Sequence, residues 1–264
     1  MCGRYVSSSP PDEIARYFGV EALGEKLLEA NNGTEEGLAP RYNVAPSAQV
    51  PVVRVKEARR ELDLLHWGLV PFWAKDLRIG NKMINARSET VAEKNAFKRP
   101  LKRRRCIVPV DGFYEWETLT TPEQGGGGAG VGKKSSKPKK QPWYITRVDG
   151  DVFAIAGLWE TWRGPDRDDS EHVESCTMLT GPPNDKMATI HHRMPVVLPP
   201  DAWERWLDPD YQDVDELQRL FVAAPSELIT MHRVSPEVNN ARNRGPQLIE
   251  PYEPDEGTLF SAAP

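Results

Sequence analysis

FYEWE at residues 113–117 and PWYI at residues 142–145 are short stretches dominated by aromatic and branched side chains. Such side chains pack well on a pleated, half-buried surface, so both stretches predict strands in the core of a sheet. The residues between them include GGGGAGVG and KKSSKPKK and have too few apolar side chains to pack. We therefore predict one domain over residues 1–255, a flexible insertion at about residues 118–141, and a disordered tail at residues 256–264.

Other stretches with strand composition are bounded by Gly, Pro or Asp, and they lie at residues 50–55, 62–70, 106–110, 143–148, 153–162, 175–179 and 195–198. Helices are predicted at residues 10–18, 89–104, 201–207 and 214–222. Ser9 is the expected N-cap of the first helix and Gly19 its end. Because strands and helices do not alternate regularly, we predict an α+β fold. The expected form is a single domain on a curled, barrel-like, mainly antiparallel sheet with flanking helices.

Composition limits the class of protein. The 264 residues are 39% hydrophobic, with a formal net charge of -5. No stretch is apolar enough to span a bilayer and the N-terminus does not resemble a signal peptide, so we expect a cytoplasmic protein without membrane contact. The three cysteines are an odd number and lack the spacing of metal ligands, so we predict neither a disulfide framework nor a metal site. The charge is uneven: six of the eight residues at 98–105 are basic, a run typical of a solvated helix end, whereas the C-terminal tail is acidic.

Cys2 follows the initiator methionine. A small second residue normally permits removal of Met1, which leaves an α-amine and a thiol on adjacent carbons. The α-amine has a pKa of roughly 7.7 to 8.0 and the thiol one of about 8.5, so both nucleophiles are available near neutral pH. This pair suits an aldehyde, because the amine can form a Schiff base and the thiolate can then close a thiazolidine ring.

Six motifs occur in a fixed order along the chain: MCGRY (1–5), RYNVAPS (41–47), WGLVPFW (67–73), NARSET (85–90), DGFYEWE (111–117) and IHHRMPVVL (190–198). In this order they resemble the SRAP family, whose members process abasic sites in single-stranded DNA. The resemblance extends to VSPEVNNARNRGPQLIEP at residues 234–251. The insertion after Glu117 and the second histidine, His192, depart from the family pattern.

The resemblance implies that Cys2 forms the crosslink and that Asn85, Glu115 and His191 act as catalytic residues around it. A carboxylate or an imidazole can move the proton that opens the cyclic abasic sugar, and an amide can orient groups without titrating. Whether His191 or the adjacent His192 faces the sugar stays open, although the family pattern favours the first.

The resemblance also implies a DNA-binding surface. Arg4, Arg87 and Arg193 match positions that meet phosphates, and the guanidinium fork suits that purpose. The apolar candidates for base contacts are Pro46, Trp73, Trp116 and Met194, with Trp67 as a further candidate. Aromatic residues in strands more often fill cores.

The predicted function is therefore covalent protection of abasic sites in single-stranded DNA through lyase-like Schiff-base chemistry, by a monomer without cofactor. The same catalytic groups could also remove Met1 in a peptidase-like reaction. We treat this as secondary, because a cytosolic aminopeptidase is sufficient to remove Met1. Two alternatives are an N-terminal-nucleophile amidase or glutaminase, for which no glutamine-binding signature is found, and a noncatalytic single-strand binder, in which Cys2 would be dispensable.

Overall fold

The computed structural model describes residues 3–33, 39–119, 139–166 and 172–253, which form short strands joined by loops and short helices. The strands are β1 (Tyr5–Ser7), β2 (Ala22–Leu23), β3 (Arg41–Val44), β4 (Gln49–Lys56), β5 (Arg59–Trp67), β6 (Asn85–Arg87), β7 (Arg105–Val110), β8 (Gly112–Thr118), β9 (Lys140–Arg147), β10 (Phe153–Trp162), β11 (Val173–Gly181), β12 (Met194–Pro195) and β13 (Ile229–Arg233). The α-helices are α1 (Pro11–Tyr17), α2 (Glu25–Gly33), α3 (Lys98–Arg103), α4 (Asp185–Ala188), α5 (Trp203–Leu207) and α6 (Val214–Gln218). Within this part of the chain, no helix has the length and apolar character needed to cross a membrane.

Five strands form a closed barrel. β4 pairs antiparallel with β5 and β7, and β10 pairs antiparallel with β7 and β11. A parallel pairing of β11 with β5 at Cys176 and Trp67 closes the ring. A second sheet in the order β13, β9, β8, β1, β3 contributes side chains to the same interior cluster. The predicted α+β fold on a barrel-like, mainly antiparallel sheet is confirmed.

The sequence FAIAGLWETW of β10 explains why this strand lies at the centre of the barrel. Phe153 and Ile155 pack in the interior cluster, whereas Ala154, Ala156 and Leu158 pack in a second cluster with residues of the helices. Successive side chains of a strand point to opposite faces, so an almost wholly apolar strand is buried on both sides.

Most predicted strands are confirmed to within a few residues, and β10 matches its predicted bounds of 153–162. The first helix is also confirmed, and it is followed by Gly19 in the left-handed region with φ +61°. The Ser9 cap is wrong, because Pro10 is the N-cap residue and the Ser9 hydroxyl bonds the carboxylate of Asp111 instead.

The predicted helix at residues 89–104 is wrong over most of its length. Residues 88–97 form turns, and α3 begins only at Lys98. Pro100 has no N–H to donate, which is harmless in the first turn of a helix but not farther in. The helix at residues 214–222 likewise ends early, at Gln218.

The strands on either side of the predicted insertion are longer than expected. β8 continues to Thr118 and β9 begins at Lys140, and the two pair along their whole length. Residues 120–138 and the predicted tail at 256–264 lie outside the described residues.

Gly68 of the WGLVPFW motif brings two loops close together. Its φ is +135°, and a Cβ built there would lie 2.7 Å from the carbonyl oxygen of Gly80. Next to it, the Trp67 indole donates a hydrogen bond of 3.0 Å to the Ile84 carbonyl, and the Leu69 amide donates one of 3.1 Å to Met83. The close approach of the two glycines therefore fixes the segment that leads into Asn85.

We expect Gly68→Ala to lower the free energy of unfolding by about 2–5 kcal/mol, because it combines an unfavourable φ with a backbone clash. Gly150→Ala is the matched control, since Gly150 also has a positive φ (+80°) but no atom within 4 Å of a built Cβ. The control should lose only about 1–2 kcal/mol. Denaturant unfolding of both variants measures the difference, and equal losses would refute the steric explanation.

Candidate functional site

Glu115 is a carboxyl group placed against an apolar interior. It lies on β8 in register with Trp143 of β9. Phe113, two residues earlier on the same face, belongs to the interior cluster, and Trp143 packs against that cluster. As a result, the Glu115 side chain is only 2% exposed. Burial disfavours the charged form and raises the pKa of Glu115 to about 7.

His191 faces this carboxyl group from the segment after α4. Its Nε2 atom lies 3.7 Å from Oε2 of Glu115. Its Nδ1 atom lies 3.1 Å from both the amide nitrogen and the carbonyl oxygen of Arg193, which fixes the orientation of the ring. Burial lowers the pKa of His191 to about 4. The exposed His192 stacks on it with ring centroids 4.5 Å apart.

The contact between Glu115 and His191 is not an ion pair near neutral pH. Burial raises the pKa of Glu115 and lowers the pKa of His191, and both shifts favour the neutral form of the group. Between about pH 4 and 7 the imidazole is therefore neutral and the carboxyl group largely protonated. A separation of 3.7 Å is also too long for a formed hydrogen bond. The pair therefore places a proton donor and a proton acceptor side by side, where both can act on one reacting group.

Asn85 borders the same interior cluster. It lies on β6 in register with Met178 of β11, and Met178 belongs to that cluster. Ala86, on the opposite face, packs in the second cluster. The Asn85 amide oxygen is fully buried. Residues in register share a face of the sheet, so the Asn85 amide lies on the interior side.

Two of the predicted phosphate-binding arginines flank Thr180 of β11. Arg87 lies in register with Thr180 and its side chain is exposed. Arg193 donates hydrogen bonds to the Thr180 carbonyl and to the Glu89 carboxylate, where the second bond is 3.0 Å long. The guanidinium of Arg193 is thus held in one orientation by a partner that the sequence did not indicate.

Arg4 and Trp116 are both braced by the segment at residues 238–243. Arg4 donates to the Asn43 side chain at 2.8 Å and to the Val238 carbonyl at 3.0 Å. The Trp116 indole donates to the Asn239 side chain at 2.7 Å. The Asn43 side chain in turn donates to three carbonyl groups of the same segment.

The remaining apolar candidates differ in exposure. Trp73 is 44% exposed and Pro46 is half-buried, followed by Ser47 with a φ of 71°. Met194 is 1% exposed and packs in the interior cluster, as does the fully buried Trp67. Base contacts by Met194 or Trp67 would therefore require a rearrangement of the core.

Lys140 is a charged neighbour that sequence reasoning placed in the flexible insertion. It begins β9, is exposed, and lies in register with Thr118. Its positive charge lowers the pKa of both Glu115 and His191. For Glu115 this opposes the effect of burial, whereas for His191 it acts in the same direction as burial. The extension of β9 to Lys140 brings this amine to the site, and only knowledge of the strand length could have predicted it.

Cys2 lies outside the described residues, which begin at Gly3. The structure thus brings Glu115 and His191 into contact, with Asn85 on the border of the same cluster. A reactive role for Cys2 stays a prediction.

Two relatives match nearly the whole length of the chain. Abasic site processing protein YoqW of Bacillus subtilis (strain 168) is 38% identical over 253 residues, covering 96% of this chain and 100% of that protein. Abasic site processing protein HMCES of Rattus norvegicus is 30% identical over 280 residues, covering 96% of this chain and 76% of that protein.

Solved structures share the fold. A crystal structure of a protein from Bacteroides thetaiotaomicron matches with a TM-score of 0.75 at 23% identity, over 96% of this chain and 100% of that one. The family described as SOS response associated peptidase matches residues 1–241. By this match and by the identity to its relatives, the chain belongs to the SRAP family.

Proposed function

We propose that the chain processes abasic sites in single-stranded DNA by forming a covalent bond between mature Cys2 and the ring-opened deoxyribose. The observation that carries this proposal is the contact between the buried Glu115 carboxyl and the His191 imidazole, 3.7 Å apart. The names of the relatives, which are abasic site processing proteins, support it.

Chain geometry supports the participation of Cys2. The amide of Tyr114 donates a 3.0 Å hydrogen bond to the carbonyl of Arg4, so the start of the chain runs beside the residue that precedes Glu115. Consecutive Cα atoms are about 3.8 Å apart, so residue 2 stays within roughly 8 Å of Arg4. We therefore infer that the α-amine of mature Cys2 can reach the Glu115 carboxyl.

Formation of the crosslink requires a proton transfer in each of its steps. Opening the hemiacetal gives the ring oxygen a proton and takes one from the C1′ hydroxyl, and the protonated Glu115 is placed to donate the first of these. The Cys2 amine then forms a bond to C1′, and the former hydroxyl leaves as water. Finally the thiol adds to the imine carbon and its proton goes to nitrogen, which closes the thiazolidine. The sum is one adduct and one water, without oxidation or reduction.

The neutral His191 accepts the second of these protons, the one taken from the C1′ hydroxyl, and Asn85 orients the sugar without titrating. Arg87, the exposed Trp73 and Arg193 form the expected path for a single strand, whose phosphates they bind independently of sequence. The mechanism makes no use of a second copy, so we expect a monomer.

Removal of Met1 is required because a peptide bond would occupy the α-amine. An aminopeptidase suffices for this step, since the residue that follows Met1 is small. Assistance by Glu115 and His191 remains a secondary part of the proposal.

The test is incubation of the purified protein with a single-stranded oligonucleotide that contains one abasic site. We expect a heat-resistant adduct whose intact mass equals the protein without Met1 plus the oligonucleotide minus one water. An undamaged oligonucleotide of the same sequence is the control, and the same abasic site in intact duplex should react more slowly. Failure to form an adduct with abasic single strands would overturn the proposal.

A further inference from the structure

The basic run at residues 98–105 serves two different purposes in the fold. Arg105 is buried and donates hydrogen bonds to backbone carbonyls, including 2.6 Å to Trp206 and 2.8 Å to Leu101, so it is structural. Arg99 is exposed and Arg104 half-buried, and both line a surface cavity. The expectation of a merely solvated helix end therefore does not account for these two arginines.

The cavity has a volume of about 300 Å³ and is lined by Phe72, Arg99, Arg104, Thr161 and Arg163. Three of these side chains are guanidinium groups and, among the described residues, none is acidic. Such a concentration of positive charge is unusual on a chain with a net charge of -5. A cavity of this kind favours an anion with several acceptor oxygens.

One carboxylate lies beneath the three arginines. Glu160 is 1% exposed and pairs with Arg104, which holds that guanidinium at the base of the cavity. Burial lowers the pKa of Arg104, and the charges of Arg99 and Arg163 lower it further, as expected for cations that lie close together. The charge of Glu174 acts on this pKa in the opposite direction, so two carboxylates act on Arg104 where three guanidinium groups line the cavity.

Phe72 connects the cavity to the candidate DNA path. Its ring is exposed, and the Arg99 guanidinium lies 4.9 Å from the ring centroid. The next residue is Trp73, which is also exposed. Phe72 and Trp73 are adjacent, so their Cα atoms are only about 3.8 Å apart. A DNA strand that contacts Trp73 can thus also reach the arginines beside Phe72.

We propose that this cavity binds a backbone phosphate of the DNA that flanks the abasic nucleotide, beyond Trp73. The inference rests on the proposed function and extends it by a second anchoring point. Guanidinium forks match the geometry of phosphate oxygens, and the Phe72 ring offers a surface for the adjoining sugar or base. The contact is independent of sequence and depends on the length of the flanking DNA.

The experiment compares noncovalent binding of undamaged single strands of two lengths, with adduct formation by the matching abasic strands measured in parallel. For Arg99→Glu and Arg163→Glu we expect roughly 3- to 10-fold weaker binding of long strands at low salt, and a salt slope reduced by about 0.7. Short DNA strands that reach only from Glu115 to Trp73 should bind these two variants as tightly as they bind the unchanged protein. Two further long strands, each extended on one side of the abasic site, assign the cavity to one flank.

Two variants serve as controls. Arg219→Glu makes the same change in net charge at an exposed helix end and should leave binding unchanged. Arg87→Glu, near the site itself, should weaken short and long strands alike. Unchanged melting temperatures show that the variants fold.

Equal effects of Arg99→Glu on short and long strands, or no effect on either, would overturn the inference. A rise in melting temperature with inorganic phosphate that Arg99→Glu removes, without any effect of strand length on DNA binding, would also overturn it, because the cavity would then take a free anion. Absence of any adduct in the unchanged protein would instead overturn the proposed function and leave the cavity testable, because binding of undamaged strands does not depend on the crosslinking chemistry.

Discussion

Cys2→Ala should abolish the heat-stable adduct with abasic DNA while leaving an imine that borohydride can trap. The α-amine survives this change, so a Schiff base still forms, but no thiol remains to close the ring. Cys2→Ser should behave in the same way, because a hydroxyl group is a much poorer nucleophile than a thiolate near neutral pH. Intact mass measurement with and without borohydride distinguishes the two products.

Retention of Met1 provides the complementary control. A bulky residue inserted before Cys2 blocks processing and keeps the α-amine in a peptide bond, so both products should disappear. A stable crosslink by the Cys2→Ala protein without reductant would refute the thiazolidine mechanism. Lys140, the exposed amine whose charge acts on both Glu115 and His191, would then become the candidate nucleophile.

Glu115→Gln should slow adduct formation by roughly 10²- to 10⁴-fold, the usual contribution of a general acid or base. The rate of the unchanged protein should inflect near pH 7, where burial places the pKa of Glu115, and the variant should lose this inflection. Single-turnover kinetics from pH 5 to 9 with saturating DNA measure both effects. The exposed Glu93→Gln is the matched control, and a pH profile unaltered by Glu115→Gln would exclude the carboxyl group from the rate-limiting proton transfer.

The same variant should be more stable than the unchanged protein at alkaline pH. Burial raises the pKa of Glu115 from an ordinary 4.5 to about 7, so between these values the folded state binds more protons than the unfolded state. The stability that this proton confers is complete below the ordinary pKa and is lost as the pH rises through 7. Above pH 7, Glu115→Gln should therefore gain up to about 3 kcal/mol in the free energy of unfolding. Denaturant unfolding at pH 5 and pH 8 measures this difference.

Local sequence was sufficient to predict the strands of the barrel. The bounds of β10 follow from ten consecutive residues whose composition favours a strand on both faces. FYEWE and PWYI predicted β8 and β9 as core strands, but neither their pairing with each other nor their length followed from the sequence. Where a side chain has a distant partner, the prediction failed: Ser9 bonds Asp111, which lies 102 residues away, and does not cap its own helix.

The motifs predicted which residues form the candidate site, but they did not predict the contacts between those residues. The motif order pointed to Glu115 and His191, and these two side chains are in contact. The pairing of Arg193 with Glu89 spans 104 residues and is decided by the register of β6 on β11, which no local pattern reveals. Similarly, Met194 belongs to a motif that resembles a DNA-binding segment, yet its side chain is buried in the core.

The position of β1 in the second sheet sets an order of events during protein synthesis. β1 lies between β3 and β8, so its edge next to Glu115 stays unpaired until residues 112–118 have left the ribosome. At roughly 5 to 20 residues per second, that interval lasts on the order of 5 to 20 seconds. We expect an aminopeptidase to remove Met1 during this interval, before β8 pairs with β1. Under the proposed mechanism, maturation of Cys2 is therefore timed by translation, because β8, which carries Glu115, is made more than a hundred residues after Cys2.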